Sequence, residues 1–193
     1  MPNNYLNTDL LDKAIIFAVN AHHNTERRGK RFPYIVHPLE AVAIVATITN
    51  DQQLLAAAAL HDTIEDTSVT AEDIRQQFGE RIAHIVAQET DNIIPNLSEE
   101  QSWHQRKQAA ITRLTNASLE TKIVALADKL SNIRAIARDY DAQGDQLWQL
   151  FHVKDKAEHE WHYRGLADAL RELNHTAAYQ EFLTLVNHVF SNQ

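Results

Sequence analysis

Side chains that could bind a metal or transfer a proton are concentrated in the segment H-D-x-x-E-D, residues 61–66. His61 and Asp62 end the apolar run LLAAAALHD, and Glu65 and Asp66 follow closely. Acidic groups at a helix C-terminus are unfavourable unless a cation offsets them, because the helix dipole is negative there. The cluster indicates either a solvated acidic helix end or a site for metal binding and proton transfer.

Two residues elsewhere in the chain favour the metal site. Asp128 lies in KIVALADKLSNI, whose pattern predicts a buried helix, and an unpaired buried carboxylate is costly. Lys129 adjoins it, but we do not expect the two to pair, because sequence neighbours on a helix do not face each other. His37 precedes Pro38 at a predicted helix start. Two histidines and two aspartates suit Mn²⁺, Fe²⁺ or a similar ion better than Ca²⁺ or structural zinc.

A short basic segment could bind phosphate. Four cationic residues lie within RRGKR, residues 27–31, although the chain has a formal net charge of −8. That charge argues against nucleic-acid binding, and a phosphorylated substrate would need a local cationic cluster or a metal. Arginine suits phosphate oxygens and can stack on a base. The segment is either a solvated basic loop or one border of a phosphate-binding pocket.

The elements that must position these residues are predicted to be helices throughout. Glycine and proline are scarce, four of each, and apolar residues follow helical rather than alternating spacing. Capping-box patterns predict helix starts at Thr70 and Ser98. Pro38 is predicted as the first residue of a helix ending near Thr49. Other helices are predicted at about residues 10–18, 52–61, 82–86, 98–114, 122–137, 154–173 and 176–190.

Composition excludes several classes of protein. The chain has 193 residues, 44% of them apolar, which suits one domain with a substantial core. It has no cysteine, so disulfides and thiolate metal sites are excluded. No apolar run has the length of a membrane span, and no signal peptide is expected at the N-terminus. These observations lead us to expect a cytoplasmic protein that binds neither membranes nor nucleic acids.

Several segments, in this order, resemble one known family. FAVNAHH, PYIVHPLEAV, AAAALHDTIEDT, FGERIAHIVAQETD and KIVALADKLSNIRAI are similar to the HD hydrolase domain of the RelA/SpoT alarmone enzymes. The stand-alone small hydrolases of that family are especially similar. The resemblance implies an all-α HD-domain helical bundle with a metal site in its core. It also implies a single domain over residues 1–193, with a core at about 8–140 and closing helices at about 145–190.

The same resemblance assigns roles to individual residues. It implies a Mn²⁺ ion, or another divalent transition metal, held by His37, His61, Asp62 and Asp128. Glu65 and Asp66 match the pair that handles the attacking water and its proton. The nucleotide contacts it implies are Arg27, Arg28 and Asn132.

The activity implied is hydrolysis of the 3′-pyrophosphate of (p)ppGpp to GDP or GTP and pyrophosphate. No room is left for a synthetase domain, so hydrolysis without synthesis is expected. One alternative is a phosphatase that acts on NADPH or another nucleotide. The other is an inactive nucleotide-binding regulatory module, which the intact set of metal-binding and acidic residues disfavours.

Overall fold

The computed structural model describes residues 7–27, 30–90 and 96–191, and every regular element within them is helical. The expected all-α fold is confirmed. One isolated antiparallel bridge joins Glu26 to Pro33 at the base of the basic loop. The α-helices are α1 Asp9–Ala21, α2 Val36–Val45, α3 Gln52–Leu60, α4 Thr63–Asp66, α5 Ala71–Phe78, α6 Glu80–Glu89, α7 Glu99–Thr115, α8 Leu119–Gln143, α9 Lys156–Ala169 and α10 Ala177–Phe190. Two 3₁₀ helices cover Gly144–Leu150 and Arg171–Leu173.

The chain divides into two compact units, the first ending at Thr90 and the second beginning at Asp91. In the first unit α3 contacts α1, α2 and α6, and its residues from Leu54 to Leu60 are all buried. Four consecutive alanines in α3 allow neighbouring helices to approach closely. Asp51 caps the helix by accepting a hydrogen bond from the backbone N–H of Gln53 at 2.8 Å. His61 directly follows the opposite end of α3 and is buried in the interior.

In the second unit α8 is the longest element, with 25 residues. Ser118 caps its start by accepting from the backbone N–H of Thr121, and Gly144 ends it at a positive φ of 58°. The helix contacts α10, while α7 contacts α9. Its central turns are buried nearly all round, and Asp128 is one of the few charged residues there. A buried carboxylate in such a position requires partners.

Several predicted boundaries are confirmed, and others shift. Capping boxes open α5 at Thr70 and α7 at Ser98, as the sequence predicts. The prediction that Pro38 is the first residue of α2 is wrong, because the helix begins at Val36. Pro38 is the third residue, and its missing N–H is not needed anywhere in the first turn. The final stretch of the predicted 154–173 helix is a separate 3₁₀ turn.

No helix in the described part of the chain combines the length and apolarity that a membrane crossing demands. Whether the two units form the single domain expected from the sequence stays a prediction.

Candidate metal centre

His61 is the C-cap residue of α3 and is almost completely buried. Its Nδ1 atom lies 2.8 Å from the backbone carbonyl oxygen of Ala58. A carbonyl oxygen can only accept a hydrogen bond, so Nδ1 carries the proton of the neutral ring. Nε2 then keeps its lone pair for a ligand. A backbone carbonyl commonly fixes the tautomer and orientation of metal-binding histidines in this way.

His37 and Asp62 bring two more donor atoms to His61. His37 is the second residue of α2 and is buried. Its Nε2 atom lies 3.2 Å from Nε2 of His61 and 3.3 Å from Oδ2 of Asp62. The same Asp62 oxygen lies 3.1 Å from Nε2 of His61. Three donor atoms from three side chains thus form a nearly equilateral triangle, which we call the donor triangle.

The dimensions of the donor triangle fit a single metal ion. Two ligands that each bind an ion at about 2.1 Å lie roughly 3.0 Å apart at octahedral angles and roughly 3.4 Å apart at tetrahedral angles. The measured sides, from 3.1 to 3.3 Å, lie within that range. Two imidazoles and a carboxylate are also a suitable ligand set for a divalent transition metal. The chain therefore contains a site that can hold a divalent metal ion.

Tyr34 connects the donor triangle to a second carboxylate. Its hydroxyl donates a hydrogen bond to Oδ2 of Asp62 at 2.6 Å. The carboxylate of Asp66 is also near enough to this hydroxyl to affect its pKa. Burial, reinforced by the negative charges of these two carboxylates, raises the pKa of Tyr34 far above its ordinary value. Tyr34 therefore remains a protonated donor at every physiological pH.

Glu65 and Asp66 lie in the short helix α4, which follows Asp62 directly. The backbone N–H of Asp66 donates to the backbone carbonyl of Asp62 at 3.0 Å, which closes this turn. Partial burial of the Asp66 carboxylate raises its pKa, and the nearby charge of Asp62 raises it further. The nearby hydroxyl of Tyr34 acts in the opposite direction and lowers the pKa of Asp66. Asp66 is thus electrostatically linked to the centre, and both Asp66 and Glu65 are exposed residues on this turn.

In the second unit, Asp128 is buried on α8 and has hydrogen-bonding partners on its own helix. Asn132, one turn later, donates to Oδ1 of Asp128 at 2.6 Å. Lys129 donates to Oδ2, contrary to the expectation that the two would not pair. The two side chains pair although they are neighbours in sequence, because the flexible four-carbon stem of lysine can fold back along the helix. The structure therefore brings Asp128 and Asn132 together, whereas their roles as metal ligand and nucleotide contact stay predictions.

The basic loop reaches the first-unit site through Arg27. The guanidinium of Arg27 lies over the ring of Tyr34, 5.2 Å from its centroid. Arg31 has a positive φ of 54°, and its backbone N–H donates to the carboxylate of Glu26 at 3.0 Å. Arg28, the other predicted nucleotide contact in this loop, lies outside the described residues. Arg27 is thus positioned beside the candidate centre.

Tyr34 and His22 are site residues to which sequence reasoning assigned no role. Their rings stack with centroids 4.7 Å apart. Both ring nitrogens of His22 are buried and have no hydrogen-bond partner among the described residues. Burial lowers the pKa of His22. One feature of the sequence could have identified them: both residues lie within segments that resemble the family, His22 before the basic loop and Tyr34 after it.

Comparison with known proteins identifies relatives of this chain. The HD domain family profile matches residues 14–153. The guanosine-3′,5′-bis(diphosphate) 3′-pyrophosphohydrolase MESH1 of Xenopus tropicalis is 37% identical over 134 residues, which cover 67% of this chain and 70% of that protein. A GTP pyrophosphokinase rsh of Brucella ovis is 33% identical over 131 residues, 68% of this chain. The matched region spans only 17% of that longer relative.

Two solved structures share the fold. The structure of a metazoan SpoT orthologue, described as hydrolysing ppGpp, has a TM-score of 0.72 and 22% sequence identity. The alignment covers 95% of this chain and 96% of the orthologue. A crystal structure of lmo0812 from Listeria monocytogenes EGD-e has a TM-score of 0.71 and 27% identity, and the alignment covers 86% of this chain and all of that one. Both similarities agree with the all-helical architecture.

Proposed function

Since this chain belongs to the HD domain family, we propose that it is a metal-dependent hydrolase that removes the 3′-pyrophosphate of (p)ppGpp. The products are GDP or GTP and pyrophosphate. The relatives named as 3′-pyrophosphohydrolases support this substrate, and they include a protein of Aquifex aeolicus that is 32% identical over 126 residues. The observation that carries the proposal is the donor triangle of His37, His61 and Asp62. It provides the buried nitrogen and oxygen ligands that a hydrolytic metal centre needs.

In this proposal the metal is Mn²⁺, and Asp128 is its fourth protein ligand. Asp128 is supported by its burial within α8 and by the A-D-K-L-x-N pattern that resembles the family. A set of nitrogen and carboxylate ligands without sulfur suits Mn²⁺ and similar ions. When bound, such an ion supplies positive charge to a phosphate oxygen and makes water more acidic. Four protein ligands leave space in an octahedral shell for water and substrate.

Proton transfer is assigned to the acidic pair on α4. Asp66, with Glu65 beside it, accepts the proton that water releases as its oxygen bonds to the phosphorus on the 3′ oxygen. The bond between that phosphorus and the 3′ oxygen breaks, pyrophosphate departs, and the 3′ oxygen takes up a proton to become the hydroxyl of GDP. The raised pKa of Asp66 supports this role, because a more basic carboxylate accepts a proton more readily.

Substrate binding is assigned to Arg27 and Arg28 of the basic loop and to Asn132 on α8. The alarmone carries phosphates at both the 5′ and the 3′ positions, and the overall charge of −8 would repel it. The basic loop contains the densest group of cations in the chain and leads directly to His37. Arg27 also lies over Tyr34, beside the donor triangle. Its position is suitable for binding a phosphate or stacking on the base.

Product analysis tests the proposal. Protein loaded with Mn²⁺ is incubated separately with ppGpp and NADPH, and the products are separated by ion-exchange chromatography. Formation of GDP and pyrophosphate supports the proposed activity. Orthophosphate released from NADPH while ppGpp remains intact would contradict it and would identify a nucleotide phosphatase. Two intact substrates would indicate the inactive binding module.

A matched pair of variants controls this experiment. Asp62→Asn removes a charged ligand from the donor triangle and is expected to abolish turnover. Asp141→Asn makes the same change in a surface pair, where Asp141 accepts from Nε2 of His188 at 2.6 Å. This control variant is expected to retain the wild-type rate. Equal rates in the two variants would contradict the assignment of the centre.

A further inference from the structure

The hydroxyl of Tyr34 contacts the same Asp62 oxygen that completes the donor triangle. Oδ2 of Asp62 accepts from Tyr34 at 2.6 Å and lies 3.1 Å from His61 and 3.3 Å from His37. An aspartate carboxylate can rotate about its side-chain bonds, so the position of one oxygen depends on the groups that hold it. Hydrogen-bond partners of this kind orient metal-binding carboxylates and contribute substantially to metal affinity.

The ring of Tyr34 is held firmly enough to act as such a support. His22 stacks against it at an interplanar angle of 28°, and His37 meets it edge-on with centroids 6.0 Å apart. The backbone N–H of Tyr34 donates to the carbonyl of Thr25 at 2.8 Å. That bond lies next to the bridge between Glu26 and Pro33 at the base of the basic loop. The hydroxyl is therefore positioned by both the backbone and the ring.

The same ring also contacts a residue assigned to substrate binding. The guanidinium of Arg27 lies 5.2 Å from the centroid of Tyr34, within the range of a cation–π interaction. Arginine side chains have many rotamers, and a ring beneath the guanidinium reduces the conformational entropy lost when phosphate binds. Tyr34 consequently contacts the metal centre through its hydroxyl and Arg27 of the basic loop through its ring.

We infer that Tyr34 is a positioning residue with two separable roles: its hydroxyl holds the Asp62 oxygen in the donor triangle, while its ring holds Arg27. This inference rests on the proposed function, because it assigns Tyr34 to support that metal centre and that substrate site. Tyr34 is not assigned any bond-making step.

The two roles are separated by two substitutions at the same position. Tyr34→Phe removes the hydroxyl and keeps the ring, so the dissociation constant for Mn²⁺ is expected to rise about 10-fold or more. The KM for ppGpp is expected to change little in this variant. Tyr34→Ala removes the ring as well, and KM is expected to rise in addition. Free Mn²⁺ is measured by electron paramagnetic resonance with metal alone, so this readout does not depend on any substrate.

A second tyrosine provides the matched control. The hydroxyl of Tyr179 donates to the backbone carbonyl of Ala167 at 2.9 Å in the second unit. Tyr179→Phe is expected to reduce stability slightly and to bind Mn²⁺ with wild-type affinity. Wild-type Mn²⁺ affinity in Tyr34→Phe would overturn the inference and leave the proposed function intact. A wild-type chain that binds no divalent metal would overturn the proposed function itself. Because Tyr34→Phe conserves the ring, it decides the role of the hydroxyl even if Tyr34→Ala does not fold.

Discussion

Replacing Asp66 by asparagine tests the proposed division between metal ligands and proton-transfer groups. Asparagine has nearly the same shape as aspartate, but it cannot accept a proton. Loss of a general base costs roughly 10²-fold in kcat, or about 2.7 kcal/mol of transition-state stabilisation. Asp66 contributes no atom to the donor triangle, so we expect Mn²⁺ affinity to change by less than about threefold. The expected result is therefore a slow enzyme with a normal metal content.

The assay compares kcat for ppGpp in Mn²⁺-saturated wild type, Asp66→Asn and a control variant. The control, Asp73→Asn, makes the same substitution in the capping box of α5, where Asp73 accepts from the backbone of Thr70 at 2.8 Å. It is expected to lower stability slightly, because the capping box is weakened, and to leave kcat unchanged. An Asp66→Asn enzyme with turnover within about threefold of wild type would refute the proton-transfer role. Loss of the metal in that variant would refute the separation of roles.

Three further predictions concern the metal, the substrate and stability. Asp128→Ala is expected to lose Mn²⁺ and activity together; full metal content by elemental analysis would contradict its assignment. Arg27→Ala is expected to raise KM for ppGpp more than it lowers kcat in steady-state kinetics, and a fall in kcat alone would argue against a binding role. Burial lowers the pKa of His159 in the folded chain. As the pH falls through the ordinary value of 6.5, this histidine therefore takes up a proton more readily in the unfolded chain than in the folded one. The free energy of unfolding decreases as a result. His159→Phe should weaken this loss of stability between about pH 7.5 and pH 5.5 in urea unfolding; an unchanged loss would exclude His159 as a source.

The features predicted successfully from sequence are those that depend on residues close together in the chain. The capping boxes at Thr70 and Ser98 each involve a partner three residues later, and both are present. The buried character of α3 and α8 follows from continuous apolar patterns, and the structure confirms it. Local spacing also places His61 at a buried helix end, where it could meet other ligands.

The features missed or misjudged depend on contacts that no local pattern encodes. Tyr34 meets Asp62 across 28 positions of sequence, and only the folded first unit brings them together. The pairing of Lys129 with Asp128 depends on a side-chain rotamer, which backbone spacing does not determine. The predicted start of α2 was two residues too late, because proline is tolerated throughout the first turn of a helix and does not mark its first residue.

The central claim is that this chain hydrolyses ppGpp by means of a metal held at the donor triangle. The most direct measurement strips the protein of metal, titrates it with Mn²⁺ and follows GDP formation from ppGpp, in parallel with His61→Ala. We predict that wild-type activity rises to a plateau at about one equivalent of Mn²⁺ per chain, and that His61→Ala remains inactive throughout. Intact ppGpp at every Mn²⁺ concentration, or equal activity in His61→Ala, would contradict the claim.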